Sequence, residues 1–183
     1  MFDKEKYIKF VEEMWVTKNE PLTLQIGIAS LGIGGETGEV LKAIITSQLE
    51  QHDQVKVELG DVLFYIFTLC RLLEISTNFS ALHQANVMQY FEKCKKYNTS
   101  YNTLIIKASK VQEHLKKHLR NPVKCPVNKE YLHKTFNHLI WSIIYTADLY
   151  AFCSLRDVVE ANYAKLSYRE KEDTLSDVAK RVE

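Results

Sequence analysis

The chain has 183 residues, 46% of them hydrophobic and 26% charged, with a formal net charge of +1. That balance excludes a disordered polymer and suits one compact domain, or two small repeats around a shared core. The longest nearly apolar run, Val62 to Cys70, is closed by Asp61 and Arg71 and is too short for a membrane span, and no signal-peptide pattern precedes it.

Helical periodicity runs along the chain. Phe2, Tyr7, Phe10, Val11 and Met14 predict a helix over 3–16, and Leu24, Ile28, Leu31, Val40, Leu41, Ile44 and Ile45 continue the pattern over 22–48. From 54 to 74 the apolar residues extend too far for one strand, so length decides for a buried helix although Phe64–Phe67 favours a strand by propensity. Further helices are expected over 79–97, 103–119, 130–152 and 155–169, the last opened by a variant capping box of Ser154 and Asp157. Pro122 and Pro126 mark 120–128 as the clear internal loop. The sum is an all-α helical bundle.

Charge is unevenly spread. Residues 1–92 carry 7 Lys/Arg and 13 Asp/Glu, residues 93–134 carry 11 and 2, and residues 135–183 carry 6 and 8. The basic block could face nucleic acid or phosphates, but no recognition-helix or zinc-finger pattern accompanies it, so nucleic acid is not the expected partner. Cys70, Cys94, Cys125 and Cys153 stand far apart without a CxxC pair, which points to reduced thiols in a cytoplasmic protein.

All six glycines fall between Gly27 and Gly60. Each glycine inside a helix costs about 0.5–1 kcal/mol against alanine, so their concentration implies a close helix approach, a bend, or a ligand near the backbone. Within this zone Glu36 and Glu39, then Glu58 and Asp61, form two i, i+3 pairs, each facing one way. On neighbouring antiparallel helices the four carboxylates would repel one another unless protonated or neutralised by cations. Oxygen-only ligands favour Mg²⁺, with Mn²⁺ as a substitute, over zinc.

The strings Leu31-Gly32-Ile33-Gly34-Gly35-Glu36-Thr37-Gly38-Glu39-Val40 and Val57-Glu58-Leu59-Gly60-Asp61-Val62-Leu63-Phe64 resemble the ExxE and ExxD motifs of the all-α nucleoside triphosphate pyrophosphohydrolases, which include MazG-like proteins and the dimeric dUTPases. Family members commonly end this unit with an Ala-Asn-x-x-Lys-Leu-x-x-Arg-like helix, and that string occurs late, at Ala161-Asn162 through Lys165-Leu166 to Arg169. Its lateness points to an internal duplication. Ala85-Asn86 pairs with Ala161-Asn162, Glu39 with Glu113 and Asp61 with His138, which predicts two tandem units, 1–98 and 99–183, packed into one domain. In the second unit Lys110, Thr135 and His138 replace Glu36, Glu58 and Asp61, so it is expected to bind no metal, while Gln89 and Lys93 stand where the second unit has Lys165 and Arg169.

The resemblance implies a Mg²⁺-dependent hydrolase that cleaves a nucleoside or deoxynucleoside triphosphate to the monophosphate and pyrophosphate. Glu36, Glu39, Glu58 and Asp61 would hold metal, and Glu36 and Glu39 are the catalytic candidates, with a lean to Glu39 as general base. Asn162, Lys165 and Arg169 are the expected phosphate or sugar contacts. Trp15, where family members often place an aromatic residue, either stacks on the nucleobase or anchors the core. Family habit implies a homo-oligomer, a dimer or tetramer. The competing readings are a dUTPase-like hydrolase and a non-catalytic nucleotide-binding or interaction protein that retains the fold.

Overall fold

No proline interrupts residues 22–121, and long helices fill most of what the computed structural model describes, residues 3–46, 52–76 and 100–172. Among these residues there are six α-helices and no strand: α1 (Lys4–Met14), α2 (Leu22–Thr46), α3 (His52–Leu72), α4 (Ser100–Arg120), α5 (Lys129–Thr146) and α6 (Leu155–Lys171). The all-α expectation holds. The helix expected over 79–97 lies outside the described residues, as do Phe2, Ala85, Asn86, Gln89, Lys93 and Cys94.

The starts of three helices follow from capping chemistry. Asp3 accepts from Lys6 N at 3.0 Å to open α1, and Asn128 accepts from Tyr131 N at 2.9 Å to open α5. Ser154 opens α6 with a reciprocal box, its side chain accepting from Asp157 N while its own backbone N–H donates to the Asp157 carboxylate at 2.7 Å. The helix expected over 130–152 ends early. Its last turn winds into a π-helical segment, Ala147–Ala151, followed by Phe152 in the left-handed region at φ 49°, which turns the chain back toward α3.

Packing follows the apolar stripes. Helices α2 and α3 form an antiparallel hairpin, α4 and α5 a second one, and α2 lies against α4, with Gly34 opposite Gln112 and Gly27 opposite Leu119. Ile26, Ala29, Ile33 and Val40 of α2 meet Leu59, Leu63, Ile66 and Phe67 of α3 and Leu104, Val111 and Leu115 of α4 in one continuous core. Helix α6 runs along α3, and α1 closes over both through Tyr7, whose ring meets Phe67 edge-on at 5.1 Å and Tyr163 at 5.5 Å.

Gly60 shows why glycine is needed at the α3–α6 contact. A Cβ there would lie 2.9 Å from Asn162 Cβ and 3.1 Å from the Val158 carbonyl oxygen, closer than van der Waals contact permits. The missing side chain therefore lets α6 reach the buried face of α3 on which Glu58 and Asp61 stand.

Candidate metal centre

Two helices deliver the acids. Glu36 comes from the middle of α2 and is half-buried, while Glu58 and Asp61, one turn apart on α3, are only 4% and 5% exposed. One carboxylate oxygen from each of the three lies within 4.8 Å of the others. Burial of three like charges at that spacing is unfavourable without positive charge among them. Part of it comes from α6. Lys165 Nζ donates to Asp61 Oδ2 and stands 3.7 Å from Glu58 Oε2. The other Asp61 oxygen, Oδ1, accepts from Asn162 Nδ2 at 3.0 Å, and Gln54, one turn before Glu58, donates to Glu58 Oε1.

The donor set fits a hard divalent cation. Its atoms are all carboxylate oxygens, and they converge at a separation one ion can bridge. Mg²⁺ or Mn²⁺ suits such a set better than zinc, and no histidine or cysteine joins it among the described residues.

Of the eight candidate residues, at least five come together. Glu36, Glu58 and Asp61 form the cluster, with Asn162 and Lys165 upon it. Glu39 is on α2 one turn beyond Glu36 but exposed, outside the three-acid group. Arg169 follows Lys165 by one turn on α6 and is half-buried. Trp15 is packed into the core. It is 2% exposed, its indole N–H donates to Gln25 Oε1 at 2.9 Å, and its ring lies 6.2 Å from those of Phe64 and Tyr65. Gln25 in turn donates to the Glu20 carbonyl at 2.7 Å, so Trp15 anchors the α1–α2 connection to the core.

The residues that the sequence reading aligned with these acids, in the α4–α5 hairpin, have partners of their own. The Thr135 hydroxyl donates to its own helix at Tyr131 O, 2.8 Å away, and Glu113 pairs with Lys116 and Lys117. Burial, reinforced by Lys107, holds the His138 imidazole below the usual histidine range.

Two participants escaped the motif reading. Gln54 is marked only by standing four residues before Glu58. Tyr7 belongs to the apolar stripe of α1, yet its hydroxyl donates to Asn162 Oδ1 at 2.9 Å. Burial first, then the charge of Asp61 and the neighbouring Tyr163, pushes the Tyr7 hydroxyl well above its ordinary pKa, so it remains a donor.

Residues 29–99 match the family model of the MazG nucleotide pyrophosphohydrolase domain. The match is consistent with the MazG-like, all-α nucleoside triphosphate pyrophosphohydrolase superfamily. It begins in α2 and takes in all four acids of the paired motif, while α6, with Asn162 and Lys165, lies beyond it. No curated protein and no solved structure matches the chain.

Proposed function

Proceeding from that match, we propose that the chain is a Mg²⁺-dependent pyrophosphohydrolase that converts a nucleoside or deoxynucleoside triphosphate to the monophosphate and pyrophosphate. The observation that carries the reading is the convergence of Glu36, Glu58 and Asp61 from two helices inside the matched segment. These three would hold the metal, which when bound supplies a grip on phosphate oxygens and lowers the pKa of bound water. Glu39, exposed one turn from Glu36, accepts the proton of the attacking water. A new oxygen–phosphorus bond forms, the bond between the α- and β-phosphates breaks, and its electron pair leaves with pyrophosphate. Lys165 and Arg169 donate to the phosphate oxygens, and Asn162 holds Asp61 in place.

The reading includes two tandem units, 1–98 and 99–183. The first supplies the acids on α2 and α3, and the second supplies α6 with its amide and cations. No helix among the described residues is long and apolar enough to cross a membrane.

The test is a panel of nucleoside and deoxynucleoside triphosphates with Mg²⁺, scored for both products, against a Glu58→Gln control. Equimolar monophosphate and pyrophosphate, lost in the control, is the expected result. Absence of both products from every nucleotide, or turnover that survives Glu58→Gln, overturns the proposal.

A further inference from the structure

Asn162 is fully buried and joins two helices that are distant in sequence, accepting from Tyr7 on α1 and donating to Asp61 on α3. The direction of its amide follows from chemistry. A carboxylate only accepts hydrogen bonds, so the NH₂ must face Asp61, and the amide oxygen is left pointing at α1 in need of a donor. The Tyr7 hydroxyl, 0% exposed with its residue and 2.9 Å away, is that donor. Without it the amide oxygen would be buried unsatisfied, and a rotated amide would turn its oxygen toward the Asp61 carboxylate. Asp61 is thus fixed at both oxygens, Oδ1 by the Tyr7–Asn162 relay and Oδ2 by Lys165, with its plane set relative to Glu36 and Glu58.

We infer that Tyr7 is a positioning residue for the metal centre, acting through the Asn162 amide on Asp61. This rests on the metal-binding reading above. Tyr7 touches neither metal nor substrate. Its hydroxyl reduces the orientations open to one ligand, so its loss weakens metal binding rather than abolishing it.

The test is titration of the metal-free full chain with Mn²⁺ alone, followed by calorimetry and by the electron paramagnetic resonance of free Mn²⁺. Tyr7→Phe keeps the ring that packs on Phe10, Phe67 and Tyr163 and removes only the hydroxyl. It should lower Mn²⁺ affinity about fivefold, the factor equivalent to one net hydrogen bond, and lower kcat with little change in the nucleotide KM. Asn162→Ala, which cuts the relay at its centre, should lower affinity at least as far, and adding Tyr7→Phe to it should cause no further loss. Tyr163→Phe, in the same aromatic cluster, should leave affinity within about twofold of the parent, because its hydroxyl has no hydrogen-bond partner among the described residues. Unchanged Mn²⁺ affinity in Tyr7→Phe, or an equal loss with and without Asn162, overturns the inference while the metal site stands. Mn²⁺ binding that Asp61→Asn does not weaken overturns the metal reading itself, and that result is read without any Tyr7 variant.

Discussion

The closeness of α3 and α6 at Gly60 makes an unusual forecast about alanine, ordinarily the better helix former. Gly60→Ala places a Cβ 2.9 Å from Asn162 Cβ and 3.1 Å from the Val158 carbonyl oxygen, where carbon contacts settle at about 3.5–4.0 Å. One of the two obstacles is backbone within a helix, so relief requires α6 to withdraw by roughly half an ångström or more. Overpacking of this kind costs about 1–3 kcal/mol, against a gain of about 0.5–1 kcal/mol in helix propensity. The withdrawal also stretches the 3.0 Å Asn162–Asp61 bond, which adds about 1 kcal/mol. The net expectation is a loss of about 1–3 kcal/mol together with weaker Mn²⁺ binding. Gly35 and Gly38 are the internal controls. A Cβ at either meets nothing within 4 Å, so each alanine should stabilise the chain by about 0.5–1 kcal/mol. Urea denaturation of the three variants at one pH reads both signs directly. If Gly60→Ala proves as stable as Gly35→Ala, the two helices are not as close as described and the steric reasoning fails.

Three further outcomes are expected. Lys165→Met removes the cation that stands between Asp61 and Glu58, so Mn²⁺ should bind several times more tightly in the absence of nucleotide while turnover falls; calorimetry and initial rates must move in opposite directions. Burial, then His118 and Lys117, holds His114 below the usual histidine range, and its Nε2 accepts from Asn128 N at 3.1 Å. The unfolded chain therefore takes up this proton first, and the stabilisation, full above the unfolded value of about 6.5, is lost as pH falls toward the lower folded value; thermal midpoints between pH 7.5 and 5 should drop less in His114→Gln. Ser154→Ala deletes one half of the α6 capping box and should cost about 1 kcal/mol, or about 2–4 °C in Tm, by urea and thermal denaturation.

What could be read from the residues alone was local. The helices were legible because proline is absent where they run and apolar positions recur at helical spacing. The end of α5 was not, since Ala147–Ala151 continues a helical pattern and the left-handed turn is carried by Phe152, a residue type that announces no such geometry. The acids were legible as two i, i+3 pairs. Their fates were not, because residues three apart on a helix differ by about 60° around its axis, enough to turn Glu36 inward and leave Glu39 in solvent. Trp15 offered a flat ring for a base or for the core, and Gln25, Phe64 and Tyr65 enclose it. The contact between Asp61 and Asn162 spans 101 positions, beyond any periodicity; the family-like string marked Asn162 for the site, and the glycine at 60 within an otherwise bulky helix was the trace of its close approach to α3.

On the proposed reading, the distribution of charge between the units has a physical rationale. In a metal-free chain the repulsion within a cluster of three partly or wholly buried acids opposes the packing of α2 on α3 unless a counter-ion or a bound proton relieves it. Lys165 supplies that charge from the far end of the sequence, so the bundle can close before any metal arrives. With a divalent cation held by Asp61 and Glu58, the Lys165 ammonium group would be needed less as their counter-charge and would stand beside the site ready to donate to phosphate oxygens. On that reading the acids and the cation work as one system drawn from both ends of the chain, since α2 and α3 hold the carboxylates while α6 holds the lysine.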